Sequence, residues 1–271
     1  MCAIWGTTWL AIKFGLATLP VITGVGLRFL LGGIFLYGVA FAWGKVVPPP
    51  RLPWKLITVL AATLFGLNYL LTYEAEVGLS SGLVAVLFGT LPFFMFGFGH
   101  YMVDEKTTIQ TWIGAVLAFA GVAAISLTGD ARGSIWYVIA VISAAMVSAF
   151  ANVYAKRHSH VDPIVVLPPA MLLAGIVLAA SGFAIERPPL ALFNVHALVP
   201  IAYLAIFGSG IAFFINLWLL QRLDAGIVGL SALIIPVLAI IVGIVFGGEA
   251  FGVRDVIGAA LVIVGVWVAL T

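Results

Sequence analysis

Charged residues are scarce in this sequence. Lysine and arginine number 12 and aspartate and glutamate 10 among 271 residues, which is 8% of the chain. Soluble domains carry about 25% charged residues, so this chain cannot cover a water-exposed surface. Hydrophobic residues make up 64%, and each helix that crosses a membrane takes roughly 20 residues. Few residues remain for a domain outside the membrane, and we expect the function to lie within it.

Cysteine pairs, basic runs and metal-binding patterns are also missing. The single Cys2 allows no internal disulfide, and no basic stretch interleaved with aromatic residues favours nucleic acid as a partner. His100, His158, His160 and His196 lack the spacing of a metal site or of a nucleophile beside a base. We therefore expect no enzyme activity, cofactor or metal. The expected partners are the lipid bilayer and a small-molecule substrate, and both a monomer and a homodimer are compatible with the sequence.

The sequence consists mainly of long runs of apolar residues. They lack the ten-residue alternation of a membrane barrel, so helices are predicted. Breaks at glycine, proline and charge clusters bound ten candidate spans. These spans are 1–19, 22–43, 54–77, 81–102, 109–128, 134–155, 163–185, 197–220, 226–248 and 251–271. The predicted fold class is an all-α polytopic membrane protein with ten transmembrane helices.

Basic residues are distributed unevenly between the two sets of loops. If the N-terminus is cytoplasmic, seven of them lie in cytoplasmic loops, namely Lys45, Arg51, Lys55, Lys106, Lys156, Arg157 and Arg222. Three lie in the opposite loops, namely Arg132, Arg187 and Arg254. Cytoplasmic loops retain lysine and arginine, so this asymmetry predicts that both termini face the cytoplasm.

The chain contains an internal repeat. A shift of 144 residues aligns 79–127 with 223–271 without a gap, and twelve of the 49 positions are identical. The identical pairs include Pro92 with Pro236 and Glu105 with Glu249, and an offset of 143 pairs Lys13 with Lys156. Matching proline and glutamate in register is hard to obtain by chance in apolar sequence. The sequence thus predicts two five-helix repeats, 1–128 and 134–271, and the odd number of spans makes the second inverted relative to the first.

Several short motifs accompany this repeat. They are Trp5-Gly6-Thr7 with Lys13, Arg28-Phe29, Ser80-Ser81-Gly82 through Leu91-Pro92, Gly248-Glu249, and the glycine-rich last helix of each half. Together they resemble the drug/metabolite transporter superfamily, and specifically its EamA-type ten-helix bacterial transporters. The resemblance implies a multi-pass carrier of the bacterial inner membrane, usually exporting amino acids or other small metabolites, with a central cavity between the halves. The motifs do not identify the substrate.

Polar and aromatic residues at helical spacing are the candidate substrate-binding residues. They lie on shared faces of their predicted helices. They are Trp5, Thr8, Trp9, Asn68, Tyr69, Tyr73, Phe88, Asn152, Asn216 and Ser231. Any one of them could instead join two helices, a contact that contributes about 0.6 kcal/mol. Because the group comes from both halves, we expect one shared cavity.

Prolines and carboxylates within the spans suggest further roles. Pro92 and Pro236 are predicted to bend the fourth and ninth spans beside the cavity, although a static kink is the alternative. Glu76, on the tyrosine face of the third span, is the candidate for ion coupling, and a solvated carboxylate at the membrane interface is the alternative. Glu105 and Glu249 suit the N-terminus of the helix that follows each of them.

Lys13 and Arg28 lie near the ends of the first two spans. Their long side chains are expected to snorkel to the membrane interface. They are therefore left out of the predicted site.

These observations together favour a secondary transporter. We expect it to export a small organic metabolite, such as an amino acid or an amphipathic compound, by alternating access between the repeats. A membrane-embedded enzyme is the alternative from another class, and a drug efflux carrier is the alternative among transporters. An ion channel should present a filter or a charged ring, which the sequence does not show.

The orientation gives a first testable prediction. Reporter fusions to either terminus and to the loop 44–53 should all report a cytoplasmic location, because lysine and arginine are retained on that side. An extracellular 44–53 loop would overturn the orientation.

Overall fold

The chain forms a bundle of apolar helices. The computed structural model describes residues 1–16, 18–79, 81–126, 135–238 and 253–271, and within these it contains ten helical segments and no strand. The segments are α1 Cys2–Leu16, α2 Val21–Ala42, α3 Trp54–Gly78, α4 Ser81–Phe88 with Leu91–Val103, α5 Ile109–Ser126, α6 Ile135–Arg157, α7 Pro163–Ile185, α8 Val195–Leu220, α9 Ala225–Leu238 and α10 Val253–Leu270. Six of these, α2, α3, α4, α6, α7 and α8, are long and apolar enough to cross a membrane. The predicted all-α membrane fold is confirmed.

Two helices contain a π-helical segment that the sequence did not reveal. The segments are Ala61–Leu67 in α3 and Leu204–Ile211 in α8. The offset of 143 residues that pairs Lys13 with Lys156 brings these two segments onto each other. π-Helical turns are rare and frequently mark functional sites. The third helix of each half is therefore distorted at the same level.

The backbones of α2 and α7 pack closely against each other. A Cβ atom added to Gly26 would lie 2.3 Å from the backbone nitrogen of Ala179, and one added to Gly175 would lie 2.3 Å from that of Leu30. Glycine lets two helix backbones approach this closely. Residue numbers rise along α2 as they fall along α7, so the two helices run antiparallel.

A second glycine contact joins α5 to α10. Gly114 lies against the backbone of Ala269, and Gly121 lies against that of Val262. These helices are also antiparallel, since the numbering rises along one and falls along the other. In both contacts, the paired helices occupy equivalent positions in the repeat.

The α4 helix is interrupted just before Pro92. The helix stops at Phe88 and starts again at Leu91, with Thr90 as the residue that precedes the new segment. Pro92 is thus the second residue of a helix, where its missing N–H would have had no partner anyway. In α9 the interruption falls at Leu230, within the turn before the helical stretch that contains Pro236. Pro92 therefore lies at the start of a helical segment, whereas Pro236 lies further along the helical stretch that follows Leu230.

Glu105 binds a helix N-terminus, but the helix is α9 and not α5. Both of its carboxylate oxygens accept a hydrogen bond from the backbone N–H of Ala225, at 2.9 and 2.8 Å. The carboxylate also pairs with Lys156 at 3.2 Å. The prediction that it serves the following helix was wrong for Glu105, and Glu249 lies outside the described residues.

The local backbone explains this difference. Asp104 takes a left-handed conformation with φ 57°, and the Glu105 N–H donates back to the Gly99 carbonyl. This turn folds Glu105 back beside α4, away from the start of α5. The N-terminus of α5 is instead served by the Thr108 hydroxyl, which accepts from the N–H of Thr111 at 3.1 Å. An N-cap threonine is a common solution at such a position.

The α2–α7 contact gives a matched pair of substitutions. Gly26→Ala should destabilise the protein by about 1–3 kcal/mol or more, because the new methyl group meets backbone that cannot move aside. Gly38→Ala in the same helix has open space around it and should be neutral or slightly stabilising. Thermal unfolding in detergent measures both variants. Equal melting temperatures for the two would show that the close contact does not hold the bundle together.

Candidate functional site

The described helices enclose a cavity that includes contributions from both halves of the chain. It holds about 850 Å³ of space free of protein atoms, including the part open to its surroundings. Its lining comes from α1, α2, α3, α4, α6, α8 and α9. Ligand pockets commonly combine apolar walls with a few polar groups, as this cavity does. The cavity is the candidate substrate site.

Aromatic side chains form one wall of the cavity. The ring of Phe213 lies 5.4 Å from that of Trp5 and 6.1 Å from that of Tyr69, both edge to face. The Trp5 indole N–H donates to the carbonyl of Gly208 at 3.1 Å, which fixes the ring against the π-helical segment of α8. This wall can cover the apolar part of a solute without conformational change.

Asn68 lines the cavity and has an unused hydrogen-bond acceptor buried beside it. It directly follows the π-helical segment of α3, and its amide nitrogen donates to the Leu64 carbonyl at 3.2 Å. Its side-chain oxygen is buried and has no hydrogen-bond partner in the described part of the chain. Buried polar atoms are usually paired, so an unpaired one beside a cavity indicates a place for a ligand donor.

Asn152 and Asn216 bind each other across the second half. The Asn216 amide nitrogen donates to the Asn152 side-chain oxygen at 2.6 Å. Asn152 in turn donates to the carbonyl of Ser148, at 2.8 Å. The pair therefore joins α6 to α8 and lines the cavity at the same time.

Arg28 is the cation of the cavity, and it does not reach the membrane interface. Only 1% of its surface is exposed, so the expectation that it snorkels was wrong. It lies seven residues into α2, about 10 Å from the start of the helix, and its side chain turns into the bundle. Placing arginine at the centre of a membrane helix costs roughly 2.5–3.5 kcal/mol on insertion scales, so its polar contacts matter.

The guanidinium of Arg28 binds both halves of the chain. Its Nε donates to the Ser209 hydroxyl at 2.8 Å, and one Nη2 bond of 3.3 Å reaches the Gly208 carbonyl in α8. In α3, Nη1 donates to the Tyr73 hydroxyl at 3.2 Å, and Nη2 donates also to the Tyr69 hydroxyl at 3.4 Å. The Tyr69 ring also lies 4.6 Å from the guanidinium carbon, a cation–π contact. Arg28 thus ties α2 and α3 to the π-helical segment of α8.

Nine of the residues singled out in the sequence line this one cavity. They are Trp5, Thr8, Asn68, Tyr69, Phe88, Asn152, Asn216, Ser231 and Pro236. Tyr73 lies behind Arg28 and does not line the cavity, and Pro92 packs against Gly229, which does. The Trp9 side chain lies outside the described part of the chain.

Glu76 lies apart from the cavity lining but close to its cation. It is half-buried on α3, and its charge interacts with Arg28 and Tyr73. Its neighbour Glu74 is exposed.

Twelve of the 21 lining residues were not in the predicted site, and four of these bear on its chemistry. They are Arg28, Thr72, Ser148 and Phe213. Thr72 and Ser148 lie one turn from Asn68 and Asn152, so the helical spacing could have found them. An arginine seven residues inside an apolar span is itself a signal of function, because intramembrane charges face the bundle interior.

The model of the EamA-like transporter family matches this sequence twice, over residues 1–127 and 135–271. The chain belongs to the EamA-like transporter family. Several named transporters are similar along most of its length. The uncharacterized inner membrane transporter YedA of Escherichia coli strain K12 is 29% identical over 252 residues, which cover 91% of this chain and 80% of YedA. The family match and the apolar helices together show a multi-pass membrane transporter.

Other similar proteins come from Bacillus subtilis and Salmonella typhimurium. The uncharacterized transporter YoaV of Bacillus subtilis strain 168 is 26% identical, with 97% of this chain and 92% of YoaV covered. Protein PagO of Salmonella typhimurium strain LT2 is 27% identical, with 98% of this chain and 89% of PagO covered. A crystal structure of another protein superposes with a TM-score of 0.87 at 21% identity, covering 99% of this chain and 94% of that one. This likeness concerns the fold.

The two asparagine sites should differ in stability when truncated. Asn216→Ala leaves the buried Asn152 oxygen without its donor, which should cost about 1–3 kcal/mol of unfolding free energy. Asn68→Ala removes an acceptor that has no partner in the described part of the chain and one 3.2 Å bond to the Leu64 carbonyl, so it should change stability by less than about 1 kcal/mol. Melting temperatures of the two purified variants provide the comparison. An Asn68→Ala protein as unstable as Asn216→Ala would mean that Asn68 holds the fold.

Proposed function

We propose that this protein is a secondary transporter that exports a small organic metabolite, such as an amino acid or another amphipathic compound, across the bacterial inner membrane. Alternating access between two inverted five-helix repeats, residues 1–128 and 134–271, moves the solute. The observation that carries the proposal is the cavity itself, which combines aromatic walls, amides and one buried cation inside the helix bundle. Aromatic faces can cover the apolar part of the solute while amides and hydroxyls replace lost water.

The antiparallel helix pairs support the inverted arrangement. The paired helices α2 and α7 occupy the same position in the two repeats, as do α5 and α10, and each pair runs in opposite directions. Two copies of one fold related by an axis in the membrane plane have this property. The separate family matches to the two parts of the chain also agree with it.

The polar contacts at one end of the bundle support a closed side. There Glu105 joins the turn after α4 to Lys156 on α6 and to the start of α9. The Lys156 ammonium also donates to the carbonyls of Leu220 and Leu223. This end carries Lys45 and Arg222 as well, so the positive-inside rule favours it as the cytoplasmic side, with both termini there.

Glu76 is the proposed site of ion coupling. It is the half-buried carboxylate whose charge interacts with Arg28, which lines the cavity, and with Tyr73. A carboxylate in a membrane helix is by default a candidate for carrying protons. Exchange of the solute for protons would use such a group, whereas movement down the solute gradient would not.

A drug efflux carrier is the second candidate, because the aromatic wall of Trp5, Tyr69 and Phe213 would also accept hydrophobic cations and neutral drugs. The buried Arg28 disfavours a cationic drug by charge repulsion. The metabolite reading is therefore preferred.

Flux through the purified protein is the direct test of transport. Comparing metabolites in the medium of cells with and without the protein identifies the solute, and liposome flux then quantifies it. Asn68→Ala should slow flux roughly fivefold, the effect of losing one hydrogen bond. Thr58→Ala, on the exposed side of the same helix, is the matched control and should leave flux unchanged.

Two results would contradict the proposal in different ways. If no solute accumulates in the medium and liposomes show no flux, the transport function is wrong. Normal flux per folded molecule in Asn68→Ala would leave transport standing and remove Asn68 from the binding site.

A further inference from the structure

The charge of Arg28 is not balanced by a carboxylate at contact distance. Its hydrogen bonds go to three hydroxyl groups and one backbone carbonyl, all of them neutral. Within the described part of the chain, no carboxylate oxygen forms an ion pair with it, and Glu76 acts on it only at longer range. Buried charges are normally paired, so this site is electrostatically incomplete.

The guanidinium also retains capacity for a stronger acceptor. Arginine has five N–H donors, and four of them bond to groups in the described part of the chain. The two bonds from Nη2, at 3.3 and 3.4 Å, are long. Charge-assisted bonds to a carboxylate are shorter, about 2.7–2.9 Å, and about twice as strong as neutral ones. A carboxylate could therefore take the unused donor and outcompete the long bonds.

The rest of the cavity complements an anion that also carries a donor. None of its lining residues is acidic, and Arg28 is its one basic residue among those described. Asn68 adds a hydrogen-bond acceptor, a buried side-chain oxygen to which no N–H or O–H group of the described residues donates. The cavity thus offers one cation and one free acceptor against an aromatic wall.

We propose that Arg28 determines substrate specificity by binding a carboxylate of the solute, and that Asn68 accepts a hydrogen bond from a hydroxyl or amino group on the same solute. The substrate class is a small organic acid with an apolar, preferably aromatic, body. This inference rests on the transport function proposed above, since it assigns the solute of the same cavity.

Three related compounds test the two contacts separately. Phenyllactate carries the carboxylate, the hydroxyl and the ring; phenyllactamide lacks the negative charge; and 3-phenylpropionate lacks the hydroxyl. Affinity for the purified wild-type protein is measured in detergent by calorimetry and by ligand-dependent thermal stabilisation. Phenyllactate should bind about tenfold or more tightly than phenyllactamide, and severalfold more tightly than 3-phenylpropionate. Equal binding of the acid and the amide, or binding of none of the three, overturns the proposal.

Substitutions should remove one preference at a time. Arg28→Gln should erase the preference for the acid over the amide, and Arg28→Lys should keep it in part because the charge remains. Asn68→Ala should erase the preference for phenyllactate over 3-phenylpropionate and keep the preference for charge. Arg222→Gln is the control, since it removes the same charge from an exposed position away from the cavity. Full charge preference in a folded Arg28→Gln protein overturns the assignment. If that variant does not fold, the wild-type comparison of acid and amide decides.

The binding and flux measurements test the anion site and the transport function separately. Preference for the acid in detergent without flux of phenyllactate in liposomes would support the anion site and count against transport. Flux of acid and amide at equal rates would support transport and overturn the anion site.

Discussion

The backbones of α2 and α7 touch at Gly26 and Gly175, and this contact determines where the other faces of α2 can point. With one side of α2 held against α7, Gly32 and Arg28 face the π-helical segment of α8, which accepts the arginine through Ser209 and Gly208. A side chain larger than hydrogen at the α7 contact would push α2 outward. The cation of the cavity would then lose its neighbours on α8.

The antiparallel pairing has a mechanical meaning for a transporter. Because the α2–α7 and α5–α10 contacts each join equivalent helices, the same surface is used twice, once from each repeat. Such self-complementary contacts have no preferred side of the membrane. Under the proposed alternating access, other contacts must hold one side closed, and the ion pair of Glu105 with Lys156 at the start of α9 lies at one end of the bundle.

Most of the helix positions could be predicted from the sequence because span length and composition are local properties. The described segments follow the predicted spans within a few residues, except that the predicted end of the ninth span at 248 lies outside the described residues. This agreement reflects the demand that membrane backbone be hydrogen-bonded within its own segment. Asn68, Asn152 and Asn216 were selected for the site because polar groups in apolar helices face inward. The structure brings all three to one cavity.

The sequence did not show which residues the charged side chains contact. Arg28 was expected to reach water because it lies near the end of its span and has a long side chain. Its place in an apolar span suggested an inward direction, but its partners Tyr69, Tyr73 and Ser209 are identified only by the structure. Glu105 was placed at the wrong helix because a left-handed residue, Asp104, turns the chain before it. The π-helical segments have no residue pattern that distinguishes them from ordinary apolar helix.

Those segments make the helix register of α3 and α8 unusually sensitive to length. A π-helical turn accommodates one residue more than an α-helical turn, so the part of α3 beyond 61–67 keeps the orientation it would have with one residue fewer. If the same residues formed a regular α-helix, everything beyond the segment would rotate by about 100° relative to everything before it. Asn68, Tyr69 and Thr72 would then face a different neighbour. The spacing of residues along this helix is therefore under a constraint that hydrophobicity alone does not impose.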